Sequence, residues 1–66
     1  MTGDAAERIR TLLLRSDNLL KKGKPDRALA ALEEARTVAQ DPAVEPRVRE
    51  LVERRIESTR PMLEAE

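Results

Sequence analysis

The stretch LLKKGKPDRALAALEEA, residues 19–35, decides the fold, because a helix-forming run breaks at Gly23 and resumes within two residues. The three lysines around Gly23 suit the negative end of a helix dipole, and the glycine suits the left-handed position that closes a helix. Pro25 suits the first turn of a new helix, where a backbone N–H has no bond to make. The stretch therefore predicts a hairpin of two helices.

Small side chains indicate how closely the two helices of this hairpin approach. Ala28 and Ala35 fall on the inward face of the second helix, and Ser16 falls on the inward face of the first. Antiparallel helices come close together only where the residues at their crossing are small. We therefore expect the arms of the hairpin to close on these three residues.

Apolar side chains spaced three and four residues apart predict three helices and no strand. The first helix spans about residues 5–22, where Asp4 and Glu7 form a capping box at its start. The second spans about 25–40. Short connections predict antiparallel neighbours, so the fold class is an all-α, three-helix arrangement of a hairpin plus a capping helix, in one domain over residues 1–66.

The third helix is predicted at about 45–60, because a proline disfavours the helical conformation of the residue before it and Pro61 should end or kink the helix. Met62 and Leu63 would then form a short apolar tail. The buried stripe of this third helix is expected to comprise Val44, Val48, Leu51, Val52, Ile56 and Thr59. Arg55 interrupts that stripe, so we expect its stem to pack and its guanidinium to reach water, with pairing across an interface as the alternative.

The amino-acid composition argues against most kinds of catalytic and metal-binding site. The chain has 66 residues, 13 basic and 13 acidic side chains, and no histidine, cysteine or aromatic residue. Without histidine and cysteine we expect neither a metal nor another cofactor, and the buried position expected for Ser16 argues against a nucleophile there. The sequence thus predicts no catalytic activity. The longest uncharged run, residues 28–32, is too short to cross a membrane, and we expect a cytoplasmic protein.

The hairpin resembles a tetratricopeptide repeat (TPR), a helix–turn–helix unit of about 34 residues. The resemblance covers about residues 9–42. The repeat's hairpin glycine corresponds to Gly23, and its small residues correspond to Ser16, Ala28 and Ala35. Its large aromatic positions are occupied by leucines, namely Leu12, Leu19 and Leu32. Arg15 departs from the pattern, and the closing proline is delayed from Gln40 to Pro42. The resemblance implies a protein-binding module; the three-helix microtubule-interacting-and-transport domain shares the same architecture and implies a similar role.

A nucleic-acid-associated regulatory protein is the alternative function. The basic run KKGK, residues 21–24, lies at a helix end, where lysines also complement the helix dipole. The chain has no aromatic side chain on which a base could stack, and four glutamates interrupt the arginines of the third helix. The sequence therefore argues against nucleic acid and favours an adaptor or a small assembly protein.

A candidate protein interface follows from Leu13, Leu14 and Leu20, which could form an apolar strip with a charged rim on the first helix. Leu14 lies about 100° from Leu13 on the first helix and is surrounded by charged residues, as a small interface with a charged rim would be. A single exposed leucine is the alternative, since such residues are common. The candidate interface residues are Arg10, Leu13, Leu14, Asp17, Lys21 and Leu29. Surplus apolar surface on a thin core further predicts self-association as a homodimer, or a partner protein that covers the same surface.

Overall fold

The computed structural model describes residues 4–64, which form three α-helices joined by short connections. Helix α1 spans Ala5–Lys21, α2 spans Pro25–Val38 and α3 spans Pro46–Glu64. No strand occurs within residues 4–64. The all-α fold class is confirmed, and the bounds of α1 and α2 agree with the predicted ones to within two residues.

Helix α1 begins with half of the predicted capping box and is closed by the predicted glycine. The Asp4 carboxylate accepts a hydrogen bond from the Glu7 backbone N–H at 3.1 Å, which is the first half of the capping box. The reciprocal bond from the Glu7 side chain is not formed among the described residues. At the other end Gly23 has φ +75°, and two backbone bonds, Gly23 to Leu20 at 3.0 Å and Lys24 to Leu19 at 2.9 Å, make the closing turn a Schellman motif.

We predict that Gly23→Ala lowers the free energy of unfolding by about 1 kcal/mol, because an L-residue resists the left-handed conformation. A Cβ at this position would meet no atom within 4 Å, so steric crowding adds nothing to the conformational cost. Thermal or denaturant unfolding measures the change. Asparagine tolerates positive φ better than alanine does, so Gly23→Asn serves as the comparison and should cost less than Gly23→Ala. The reverse order would contradict the left-handed turn.

Helix α2 is the central element, because it packs against both α1 and α3. Its buried residues are Ala28, Ala31, Leu32 and Ala35, and Ala39 just beyond it is also buried. The core adds Ile9 and Leu12 from α1 and Val52 and Ile56 from α3. Most of the face that α2 presents is thus alanine, which lets both neighbouring helices lie close to it.

The register of the α1–α2 hairpin places the predicted small residues together. The side chains of Arg8 and Glu34 approach to 3.9 Å, so Arg8 of α1 lies at the level of Glu34 of α2. Ser16 lies eight residues after Arg8 on α1. Because α2 runs antiparallel to α1, the position opposite Ser16 is eight residues before Glu34. That position is residue 26, which lies two residues from Ala28. Ser16 and Ala28 are both buried, and the Ser16 hydroxyl donates to the Leu13 carbonyl at 2.8 Å, so its burial leaves no polar atom unpaired.

Helix α3 runs antiparallel to α2, as two contacts show. The Arg49 Nε donates to the Ala39 carbonyl at 3.0 Å, and Arg36 approaches Glu53 to 3.4 Å, so the sequence numbers fall along α2 as they rise along α3. The connection before α3 is closed by a bond from the Ala43 N–H to the Asp41 carboxylate at 2.9 Å. Val44, predicted as part of the helical stripe, lies in this connection and is buried in the core.

The predicted end of α3 is wrong, because the helix continues through Pro61 to Glu64. Proline removes one backbone donor, the one that would bond to the carbonyl of Glu57, four residues earlier, and its ring crowds that carbonyl. Leu63 lies four residues beyond buried Thr59, on the same helix face, and is half-buried. Apolar burial on this face offsets the cost of the proline and extends the helix by one turn.

We predict that Pro61→Ala raises the free energy of unfolding. The gain should be about 1 kcal/mol, below the ~3 kcal/mol that separates proline from alanine in a helix interior, because Pro61 lies in the last turn. Pro61 is exposed, so the substitution removes no core contact. A thermal melt measures the gain, and a fall in melting temperature would mean that the proline stabilises this turn instead.

Candidate functional site

A shallow groove runs between α1 and α3, and its floor is Leu32 of the central helix. The groove has a volume of about 340 Å³. Side chains of Ser16, Asp17 and Leu20 line it from α1. Residues of α3 line the other side, namely Leu51, Arg54, Arg55, Ser58, Thr59 and Met62. The groove exists because α1 and α3 both pack closely on α2 but make few contacts with each other.

Exposed apolar side chains follow the α3 side of this groove. Leu51 is 42% exposed and Met62 is 47% exposed. The two lie eleven residues apart, which is close to three helical turns, so they share one face, with Ser58 between them. Large apolar side chains that recur on one exposed face are the kind of surface that a bound protein covers. We call the exposed part of α3 that includes Leu51, Ser58 and Met62 the α3 face.

An ion pair joins the two walls of the groove. The Arg55 guanidinium donates to the Asp17 carboxylate at 2.7 Å, an ion pair within the chain that the sequence does not predict. The two side chains are 37% and 43% exposed. A pair this accessible to solvent contributes at most about 1 kcal/mol to the free energy of unfolding.

Charged side chains of both signs flank Leu51 on α3. Arg47, Glu50, Arg54 and Glu57 are all exposed. The ion pairs within residues 4–64 are Arg8–Glu34, Arg36–Glu53 and Arg55–Asp17. The four charged residues around Leu51 therefore take part in no ion pair within the described part of the chain, and they are available to a partner.

The predicted interface residues do not form one surface. Arg10, Leu14 and Lys21 are exposed on α1, and Leu14 is 60% exposed. Asp17 lines the groove. Leu13 is half-buried against the core.

Leu29 lies on a different side of the molecule from this α1 surface. It is half-buried and packs against the core. It stands seven residues, or two turns, from Arg36, which pairs with Glu53 of α3, so both lie on the edge of α2 that faces α3. Leu29 and Leu14 therefore cannot form a single contact surface, and part of the Leu29 side chain belongs to the core rather than to an interface.

Leu51 is the residue that sequence reasoning misplaces, since the predicted stripe of α3 would bury it. The buried residues of that helix are Val52, Ile56 and Thr59, and Leu51 lies about 100° from Val52 on the side away from Ile56. The three-turn spacing of Leu51 and Met62 is the signal that could have identified the α3 face.

Comparisons with known proteins identify no relative: no family model matches the chain, and no curated protein or solved structure matches it significantly. Within residues 4–64, no helix has the length and apolar character needed to cross a bilayer. The same part of the chain brings together no group of three acidic side chains that could hold a metal ion.

Proposed function

We propose that this chain is a protein–protein interaction module without catalytic activity, a TPR-like adaptor or small assembly protein that binds through the α3 face. The observation that carries the proposal is the exposure of Leu51 and Met62 along one side of the groove. A helical domain of 66 residues has few large apolar side chains for its core, and leaving two of them exposed on one face costs stability unless a partner covers them.

The architecture supports the same proposal. A hairpin closed by a left-handed glycine, with alanine and serine at its crossing and a third helix packed on the second, is the arrangement that TPR-like modules use. The chemistry of the groove points the same way, because its polar groups are an ion pair, hydroxyls and a guanidinium around an apolar centre. Small interfaces have this composition of an apolar centre with a polar rim that includes arginine.

Site-specific photo-crosslinking tests the proposal. A photoreactive residue at position 58, in the middle of the α3 face, should yield covalent protein adducts in an extract of the cells that make this protein. The matched control is the same residue at position 30, because Ala30 is exposed on α2 and lies outside the groove. Adducts from position 58 and none from position 30 are the expected result. No adduct from position 58, or equal labelling at both positions, would contradict the proposal.

A further inference from the structure

Four exposed charged residues of α3 have a spacing that is the same in both directions along the helix. Arg47, Glu50, Arg54 and Glu57 are separated by three, four and three residues. The spacing is unchanged when the helix is reversed, whereas the sign at every position is inverted. Together with Leu51 these residues occupy an arc of about 120° on the exposed side of α3.

Such a pattern is complementary to itself in an antiparallel arrangement. When a second α3 lies against the first with a two-fold axis at the level of Val52, Arg47 comes opposite Glu57 of the second copy, and Glu50 comes opposite Arg54. Each pair occurs twice by symmetry, so all four charges of both helices meet an opposite charge. A parallel arrangement in register would instead place every charge opposite its own kind.

We propose that the occupant of the α3 face is a second copy of this chain, docked as an antiparallel helix pair. This inference rests on the proposed function and names its partner. Leu51 lies at one edge of this arc and one residue from the level of the two-fold axis, so the two copies of this exposed leucine lie close together at the middle of the paired length. The four charged residues occupy the rest of the arc, and none of them gives up an ion pair within residues 4–64 when the copies associate.

The size of the contact sets the expected affinity. The paired stretch from Arg47 to Glu57 is about 15 Å long at 1.5 Å per residue, and one pair of helices over that length gives an interface at or below the low end of the range for specific complexes. We therefore expect a dissociation constant in the micromolar range or weaker. Sedimentation from about 10 μM to about 1 mM covers that range.

Charge reversal provides the test. Arg54→Glu and Glu50→Arg should each weaken self-association by about tenfold or more, because two attractive pairs become repulsive in each homodimer. An equimolar mixture of the two variants should associate as wild type does, because every contact between the unlike chains is again between opposite charges. The control is Arg27→Glu, which removes an exposed arginine of α2 and should leave self-association unchanged.

Sedimentation equilibrium gives the association constants, and circular dichroism confirms that each variant stays helical. A wild-type chain that is monomeric up to about 1 mM would overturn the second copy as the occupant. A mixture of the two variants that associates no better than either alone would overturn the antiparallel register. In either case, adducts of position 58 with a different protein would leave the proposed function standing, whereas a complete lack of adducts would contradict that function separately.

Discussion

Truncating Leu32 to alanine is expected to lower the free energy of unfolding by about 2–5 kcal/mol, which is the usual cost of removing a fully buried leucine. Leu32 is 1% exposed and lies on the central helix, where it belongs to the core and also floors the groove between α1 and α3. A chain of this size has a total stability of about 5 kcal/mol. The Leu32→Ala variant should therefore be largely unfolded at moderate temperature.

The matched control for this substitution is Leu14→Ala. Leu14 is the most exposed leucine of the described residues, at 60%, and its truncation should change the free energy of unfolding by no more than about 0.5 kcal/mol. Urea unfolding followed by circular dichroism compares the two variants directly. Equal losses for Leu32→Ala and Leu14→Ala would contradict the placement of α2 at the centre of the molecule.

Enlarging Ala28 to leucine is expected to lower the free energy of unfolding by about 1–3 kcal/mol, because the added atoms have no space to enter. Ala28 is completely buried, and the register of the hairpin places it within two residues of the level of Ser16 on α1. A larger side chain there forces the two helices apart and weakens the contacts of their neighbours in the core. The melting temperature should fall accordingly.

Ala30→Leu provides the control for this second substitution, because Ala30 lies two residues away on the exposed side of the same helix. The two variants add the same atoms to the same helix and differ only in the face that receives them. Ala30→Leu should melt close to wild type. If Ala28→Leu is as stable as Ala30→Leu, the close crossing of α1 and α2 is incorrect.

Local rules predict the hairpin well, because its determinants lie within a few residues of each other. The left-handed conformation of Gly23 follows from the absence of a side chain, and the start of α2 follows from the fixed φ of Pro25. The predicted end of α3 is wrong because it depends on packing against other elements and not only on neighbouring residues. Pro61 sets a local cost, but burial on the face that includes Leu63 offsets it, and that burial depends on where α3 packs.

The candidate site is predicted less completely than the fold. Helical periodicity identifies a stripe but does not determine how wide an arc the neighbouring helices cover. Leu51 lies at the margin of its stripe and is left exposed, whereas Leu13 and Leu29 lie at the margins of theirs and are half-buried. The contact between Arg55 and Asp17 joins residues 38 positions apart, so no local pattern could have paired them.

The central claim is that Leu51 serves contact with another protein rather than the core, and Leu51→Glu tests it most directly. The measurement combines urea unfolding of this variant with photo-crosslinking from position 58. We predict a change in the free energy of unfolding of less than about 1 kcal/mol, because Leu51 is already 42% exposed, together with loss of the adducts. A fall of about 2 kcal/mol or more, as for a buried leucine, with the adducts retained, would contradict the claim.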